Sequence, residues 1–492
     1  MSKNDSSLTN KAIESVLWKL LQNGGTTLIS FLLQIWLARL LLPADYGLIA
    51  LTSVFITLSM IIIQTGFTSA LIQKPELQDL DIYSVHYSSI VLSMVIYGVV
   101  FAFAPFIARF YSEPLLVSVL RVQALTVPIS ALYSVPMSII QRNLQMKRTF
   151  YAGIIGMVGQ GTVGIILALR GFGVWALVFG SLTNASMTCI VILISSKWRP
   201  KLQFSTVPVQ QMLPFSSRVL AIALINALSA NMKALITGRA YSPEVLGYYN
   251  RGYQFPSMLM VNVDGAITSV AFPLLSRFQH DYTELANKVR KSLQISLYFV
   301  WPAMIGLIAV ADPLIRLLLT EKWMPSVVFL QLTAIECMLW PFSIFIHATN
   351  AVGKSGLSLK LNILSKGLDL LVMLITIRFG IYVFVASTIF SSLLSTSVVV
   401  VIVSRIIKLP LKDLLLDIMP IFFSSLLMGA VVSLIGLLFS SPLLKILFQV
   451  LVGTLLYFVV TWMFRVPSLM FVLSYIKNKL IRTNEAHKEK PY

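Results

Sequence analysis

Charge is what this 492-residue chain has least of. Asp, Glu, Lys and Arg make up 12% of it, against a 57% hydrophobic share and a mean hydropathy of +0.84. A soluble domain carries roughly 25% charged residues, so a soluble globular protein is excluded. Segments of alternating polar and apolar residues are missing too, which excludes a β-barrel and leaves helices to satisfy the backbone inside lipid. The two cysteines, Cys189 and Cys337, both sit in apolar runs. They say nothing about a disulfide and have no metal-ligand spacing. There is no phosphate-cradling GxxxxGK[ST] loop and no HExxH zinc motif, so neither direct ATP drive nor zinc chemistry is expected. No cofactor or metal is expected at all. Asp79-Leu-Asp81 has the spacing of a metal-bound nucleotide-sugar site, but it lies in a short loop with no catalytic domain around it. The first apolar run is broken by Lys19 and by Gln22-Asn23-Gly24-Gly25, so it reads as a membrane helix rather than a cleaved leader.

What the chain has in abundance is runs long enough to cross a bilayer, at about 20 residues each. Fourteen are expected: 14–38, 47–72, 84–109, 115–140, 149–169, 173–196, 213–238, 250–275, 291–318, 326–351, 357–377, 380–403, 415–438 and 443–464. The longest connection is expected around 276–290. With the N-terminus inside, Lys and Arg number 24 in the inside segments and nine in the outside ones. The positive-inside rule then places both termini in the cytoplasm. This asymmetry also accounts for the net charge of +19 without nucleic acid, for which no basic patch interleaved with aromatics exists. In the tail, Leu469, Val472, Leu473, Ile476 and Leu480 recur at helical spacing beside Lys477, Lys479 and Arg482. That pattern suits an interfacial helix on anionic lipid, or simply a basic tail.

Five cations fall well inside expected spans, at least five residues from either end: Lys19, Arg121, Arg218, Lys233 and Lys366. Three acids join them, Asp264, Glu336 and Asp369. An ionisable group at such depth costs about 2.5 kcal/mol or more and faces a cavity or a partner. The excess of cations suits anionic cargo. Near the helix ends, Lys19, Arg121, Arg218 and Lys233 have the alternative of snorkelling to the headgroups. Lys366 and Asp369, three residues apart on one helix face, read either as a neutralised pair or as a releasable cation. Asp264 and Glu336 read as proton or ion carriers or as structural partners of a cation. Tyr248, Tyr249, Tyr253 and Phe255 open a span as an interfacial belt or a sugar-stacking surface.

The chain also repeats itself. Arg39-Leu-Leu-Leu-Pro43-Ala-Asp-Tyr-Gly47 returns 200 residues later as Arg239-Ala-Tyr-Ser-Pro243-Glu-Val-Leu-Gly247. Phe172-Gly173-Val174-Trp175 returns as Phe379-Gly380-Ile381-Tyr382. The expected organisation is an N-terminal lobe (1–200), a parallel copy (201–410), two further helices (411–464) and a basic tail (465–492). Parallel repeats are a known transporter plan.

Three segments carry a family resemblance: Ala38-Arg39-Leu-Leu-Leu-Pro43-Ala-Asp-Tyr-Gly47, Gln141-Arg142-Asn143-Leu-Gln-Met-Lys147-Arg148 and Gly171-Phe-Gly-Val-Trp175-Ala-Leu-Val. Through residues 10–410 the chain resembles the Wzx-type polysaccharide transporters of the multidrug/oligosaccharidyl-lipid/polysaccharide flippase superfamily. Within it the colanic-acid and teichuronic-acid exporter branch looks most similar. The resemblance implies an all-α membrane protein with two pseudo-symmetric six-helix lobes around a central cavity. It implies a flippase that carries an oligosaccharide on undecaprenyl diphosphate to the outer leaflet by alternating access. Membrane lipids and polysaccharide polymerase or export machinery would be its partners, and the bacterial inner membrane its location. It also implies that Lys19 and Arg218, on the first helices of the two copies, meet the diphosphate. Lys233, Lys366 and Arg121 would support them, with Asp264, Glu336 and Asp369 coupling an ion. The rival readings are a multidrug exporter, whose cavity should be acidic, and a membrane polymerase or ligase, which needs a sizeable outside loop.

Overall fold

The computed structural model describes residues 3–74, 76–196 and 198–470. Side chains at 3–13, 16, 17, 19, 20, 23, 65–67, 69 and 262–273 lie outside that description, as does the expected tail helix beyond residue 470. The described residues form helices and no strands. Contacts divide the chain into two compact units, Met1–Gly247 and Tyr248–Tyr492.

The first unit holds α1 (Lys3–Leu40), α2 (Pro43–Gln73), α3 (Asp79–Tyr111), α4 (Leu115–Gln123), α5 (Thr126–Arg142), α6 (Met146–Leu169), α7 (Val174–Ser196), α8 (Thr206–Ala240) and the first turn of α9 (Pro243–Arg277). The second unit holds the rest of α9, then α10 (Tyr282–Ala309), α11 (Ala311–Leu318), α12 (Ser326–Cys337), α13 (Ile344–Ala351), α14 (Ser355–Thr376), α15 (Ile381–Ile406), α16 (Leu411–Gly436) and α17 (Pro442–Met463).

Eleven helices among the described residues are long and apolar enough to cross a membrane, and Gly24–Leu40 is a shorter apolar stretch. The chain is therefore a multi-pass membrane protein. The three expected spans outside the eleven are those on α1, α9 and α14. Their expected stretches hold Lys19, Asp264 and the Lys366/Asp369 pair. On α1 and α9 the side chains of the expected stretch lie partly outside the described residues, whereas α14 is described throughout and is made less apolar by Lys360, Lys366 and Asp369.

Two expected spans are broken. The span 115–140 divides into α4 and α5 just before Pro128, which has no N–H to give the Ala124 carbonyl. The span 326–351 divides around a 3-10 turn, Trp340–Ser343, where Pro341 likewise withholds a donor from Cys337. The nearby carbonyl of Met338 accepts the indole N–H of Trp301 at 3.0 Å. The connection expected around 276–290 shrinks to residues 278–281. Asp281 caps α10 by accepting the N–H groups of Thr283 and Glu284, both at 3.0 Å, and so starts that helix early.

The three motif segments turn out to be corners of the first unit. Pro43 begins α2, where a missing N–H costs nothing, and the Asp45 carboxylate accepts the Leu42 N–H at 2.9 Å. Arg142 donates to the carbonyls of Leu71 (2.8 Å) and Lys74 (2.5 Å), closing the C-terminal end of α2. Arg148 does the same for α7 through Ser195 (2.6 Å). Cations suit the carbonyl-rich negative end of a helix. Gly173, at φ +55, and its repeat partner Gly380, at φ +94, each precede a helix in a conformation that side chains resist. Asp45 packs against Gly173, so the first and third segments meet.

The 200-residue repeat has a spatial counterpart. A Cβ placed on Gly47 would lie 1.7 Å from the Pro243 carbonyl oxygen, and one on Gly247 would lie 2.0 Å from the Pro43 carbonyl oxygen. The two Pro-x-x-x-Gly turns thus press backbone to backbone in a reciprocal, two-fold-like contact inside the first unit. Only glycine allows this, as with small residues at other membrane helix contacts.

Candidate functional site

Span 326–351, broken at Pro341, brings Glu336 near the end of α12 to the polar face of α15. Thr388, Ser391, Ser392 and Ser395 recur there at i, i+3, i+4 and i+7, one stripe of a helix. Thr388 Oγ1 donates to Glu336 at 3.3 Å and Ser392 Oγ at 3.5 Å. From α14, Asp369 accepts the Ser391 hydroxyl at 2.7 Å. Glu336, Lys366 and Asp369 line one cavity of about 290 Å³ together with Trp340, Asn362 and Ser392. Sequence reasoning named those three ionisable residues but missed Trp340, Asn362 and the hydroxyl stripe. The stripe's helical spacing was the available signal.

Within this cavity the expected Lys366–Asp369 pair is not closed. No carboxylate among the described residues lies within 4.0 Å of the Lys366 ammonium, and Asp369 takes a hydroxyl proton instead. Lys366 is exposed half-way along α14, roughly 15 Å from either end at 1.5 Å per residue. A cation held there without an ion-pair partner retains its full demand for an anion.

The other candidates are scattered. Arg218 is exposed on α8, with no carboxylate within 4.0 Å among the described residues. Lys233, further along α8, is half-buried and has contacts of its own. Arg121 on α4 is engaged locally: its Nε donates to the Phe101 carbonyl at 3.2 Å and its guanidinium lies 4.0 Å from the Phe101 ring centroid. Stacking and one hydrogen bond hold this guanidinium locally and leave its four other N–H donors without an acceptor among the described residues. The side chains of Lys19 and Asp264 lie outside the described residues.

The aromatics that open α9 do not form an open stacking surface. Tyr249 and Phe255 are buried, Tyr249 edge-on to Phe329 at 6.0 Å, and Tyr248 stands edge-on to Trp323 at 6.1 Å. Among the described residues no cluster of three or more His, Cys, Asp or Glu side chains is placed to hold a metal.

Solved structures share this fold. The lipid II flippase MurJ, in an inward closed conformation, superposes with a TM-score of 0.73 at 15% identity, covering 91% of this chain and 98% of its own. An inward-facing multidrug resistance MATE family transporter gives 0.62 at 15% identity, over 78% and 94%. By sequence, the succinoglycan biosynthesis transport protein ExoT of Rhizobium meliloti is 25% identical over 68% of each chain. The lipopolysaccharide biosynthesis protein WzxC of Escherichia coli is 24% identical, also over 68% of each. The teichuronic acid biosynthesis protein TuaB of Bacillus subtilis is 24% identical over 56% of this chain and 58% of its own. Residues 36–328, more than half of the chain, match the family described as Polysaccharide biosynthesis protein, and the chain belongs to that family.

Proposed function

We propose that the protein is a flippase moving an oligosaccharide on an undecaprenyl diphosphate carrier from the inner to the outer leaflet of a bacterial cytoplasmic membrane, by alternating access, for polysaccharide export. Both termini are cytoplasmic in this reading, and the two 200-residue copies act as its two lobes. The fold is shared by a lipid flippase and by multidrug exporters, so fold alone does not choose between cargoes. The observation that carries the reading is that Arg218 on α8 and Lys366 on α14 each lack a carboxylate within 4.0 Å among the described residues. A diphosphate supplies the oxyanions that such cations lack, through charge-assisted hydrogen bonds. An exporter of organic cations would rely instead on uncompensated carboxylates; Asp369 too has no cation within 4.0 Å among the described residues, so the choice of cargo rests on these two cations together with the named relatives.

Lys19 and Arg218 are assigned to the first capture of the diphosphate, with Lys233 and Arg121 in supporting places. Lys366 receives the headgroup in the second unit. Glu336 and Asp369, whose carboxylates already collect hydroxyl donors from α15, are assigned to ion coupling together with Asp264. Polysaccharide polymerase and export machinery would take over the flipped unit. The relatives are named as transport and biosynthesis proteins, which supports transport over polymerisation or ligation.

The test is the leaflet on which the lipid-linked repeat unit accumulates in cells lacking the gene, read by its access to an externally added glycan-modifying probe. Accumulation on the inner leaflet, reversed by the gene, is expected. A unit that reaches the outer leaflet but stays unpolymerised would replace this reading with a step after flipping. The Lys19→Ala/Arg218→Ala double variant should reach the membrane and fail to restore the polymer.

A further inference from the structure

The second unit contains another polar cavity, of about 330 Å³, that the flippase reading does not use. Asn287, Arg290, Lys291 and Gln294 line it from one face of α10, Asp417 from α16, and Ser468 from the helical residues 467–470 that follow α17. Arg290 is held in place by Asp417, which accepts from Nε and, at 2.8 Å, from Nη2. An arginine has five N–H donors. Two go to Asp417, and among the described residues no group accepts the other three. Ser468 is buried, at 3% exposure, and its hydroxyl has no partner. The side-chain amides of Asn287 and Gln294 likewise engage no described group. The buried Ser468 hydroxyl and the open donors of Arg290 on the same cavity suit an acceptor with several oxygens.

We propose that this cavity binds the phosphodiester headgroup of an anionic membrane phospholipid. Its ionised lining is two cations against one carboxylate, a net positive charge. Arg290 is pre-oriented by Asp417, so its free donors are presented at little entropic cost. Ile295 and Pro467 add apolar surface to the same wall, which suits the glycerol and the first methylenes of a lipid better than a free anion. Arg290 lies about 12 Å along α10 from Tyr282, and Asp417 about 9 Å along α16 from Leu411, at 1.5 Å per residue. Both thus lie at the depth of lipid phosphates if each helix enters the membrane by its N-terminal end. On the orientation proposed above, this is the cytoplasmic leaflet, where anionic headgroups attract such clusters.

The test uses the purified full chain, stripped of lipid in neutral detergent and titrated with phosphatidylglycerol or phosphatidylethanolamine under native mass spectrometry. Inorganic phosphate is the competitor. The expected result is retention of one phosphatidylglycerol at least fivefold over phosphatidylethanolamine and unmoved by phosphate. That preference should be lost in Lys291→Glu, at an exposed position, and in the paired variant Arg290→Gln/Asp417→Asn, which removes both charges together and leaves neither unpaired. Equal retention of the two lipids by the unaltered chain would overturn the proposal. So would variants that keep its preference, or displacement of the lipid by inorganic phosphate.

Discussion

Replacing Gly47 with alanine should pry apart the two repeat turns. The new Cβ would sit 1.7 Å from the Pro243 carbonyl oxygen and 2.4 Å from its carbon. The obstacle is backbone, which cannot rotate away. Reaching even 3.0 Å, itself a tight contact, requires the turns to part by about 1.3 Å. Inserting a methyl group into a close-packed contact costs about 1–3 kcal/mol, and a gap of roughly 1 Å also forfeits up to half of each dispersion contact across the seam. We therefore expect Gly47→Ala to destabilise by about 3 kcal/mol. Gly247→Ala starts from 2.0 Å against Pro43 and needs about 1.0 Å, so it should cost somewhat less. The double variant is the decisive one. A parting of 1.3 Å for the first methyl already accommodates the second, so the two costs should not add, and a coupling of about 2 kcal/mol is expected. The assay is reversible unfolding of the four proteins in mixed micelles. Additive losses, or a Gly47→Ala protein as stable as its parent, would refute the reciprocal contact.

Other substitutions test the remaining corners. Arg142→Gln removes the donors to Leu71 and Lys74 and should lower stability by about 1–3 kcal/mol, read as a fall in melting temperature. Tyr457→Phe deletes a buried hydroxyl that donates to the Tyr298 carbonyl at 2.9 Å. Its cost should be smaller, about 0.6 kcal/mol and at most 1.7, as for hydrogen bonds between membrane helices, in the same unfolding assay. Gly173→Ala, at φ +55 beside Asp45, should cost about 1 kcal/mol or more in the same unfolding assay; Gly171→Ala, at φ +78 with open space around it, carries the backbone strain alone and so separates that strain from the Asp45 contact.

The helical membrane class was legible because lipid permits few solutions, and apolar run length reports them directly. The charged segments stood out for a subtler reason: Lys366 and Asp369 interrupt an apolar run, at positions that sequence alone marks as costly inside lipid. Their surroundings were not legible. Whether Lys366 closes on Asp369 depends on a rotamer choice, and the competing Ser391 hydroxyl arrives from a different helix, 22 residues on. The breaks before Pro128 and at Pro341 were written in the sequence but hidden by the uniform apolarity around them. The family segments were conspicuous, yet their residues serve as caps and corners. Arg142 ties off α2 and Arg148 ties off α7, so the motifs identify the fold while other residues carry the proposed cargo. At Arg121 the depth was legible, whereas its contact with the carbonyl and ring of Phe101, on another helix, was not.

Lys366 offers the sharpest separation of a structural from a transport role. A lysine that neutralises a carboxylate leaves that carboxylate stranded when removed, at a cost of about 3–5 kcal/mol for a buried pair. Here no carboxylate lies within 4.0 Å of it among the described residues, and Asp369 is already served by Ser391. Lys366→Gln should therefore leave unfolding free energy within about 0.5 kcal/mol of the parent. If the ammonium meets a diphosphate oxygen during transport, the same change removes a charge-assisted hydrogen bond of about 1.5–3 kcal/mol. Polymer export would then fall by roughly 10- to 150-fold, and Lys366→Arg, which keeps the charge, should recover much of it. A Lys366→Gln protein that unfolds easily, or one that exports normally, would remove Lys366 from the cargo path and return it to the packing of α14 against α15.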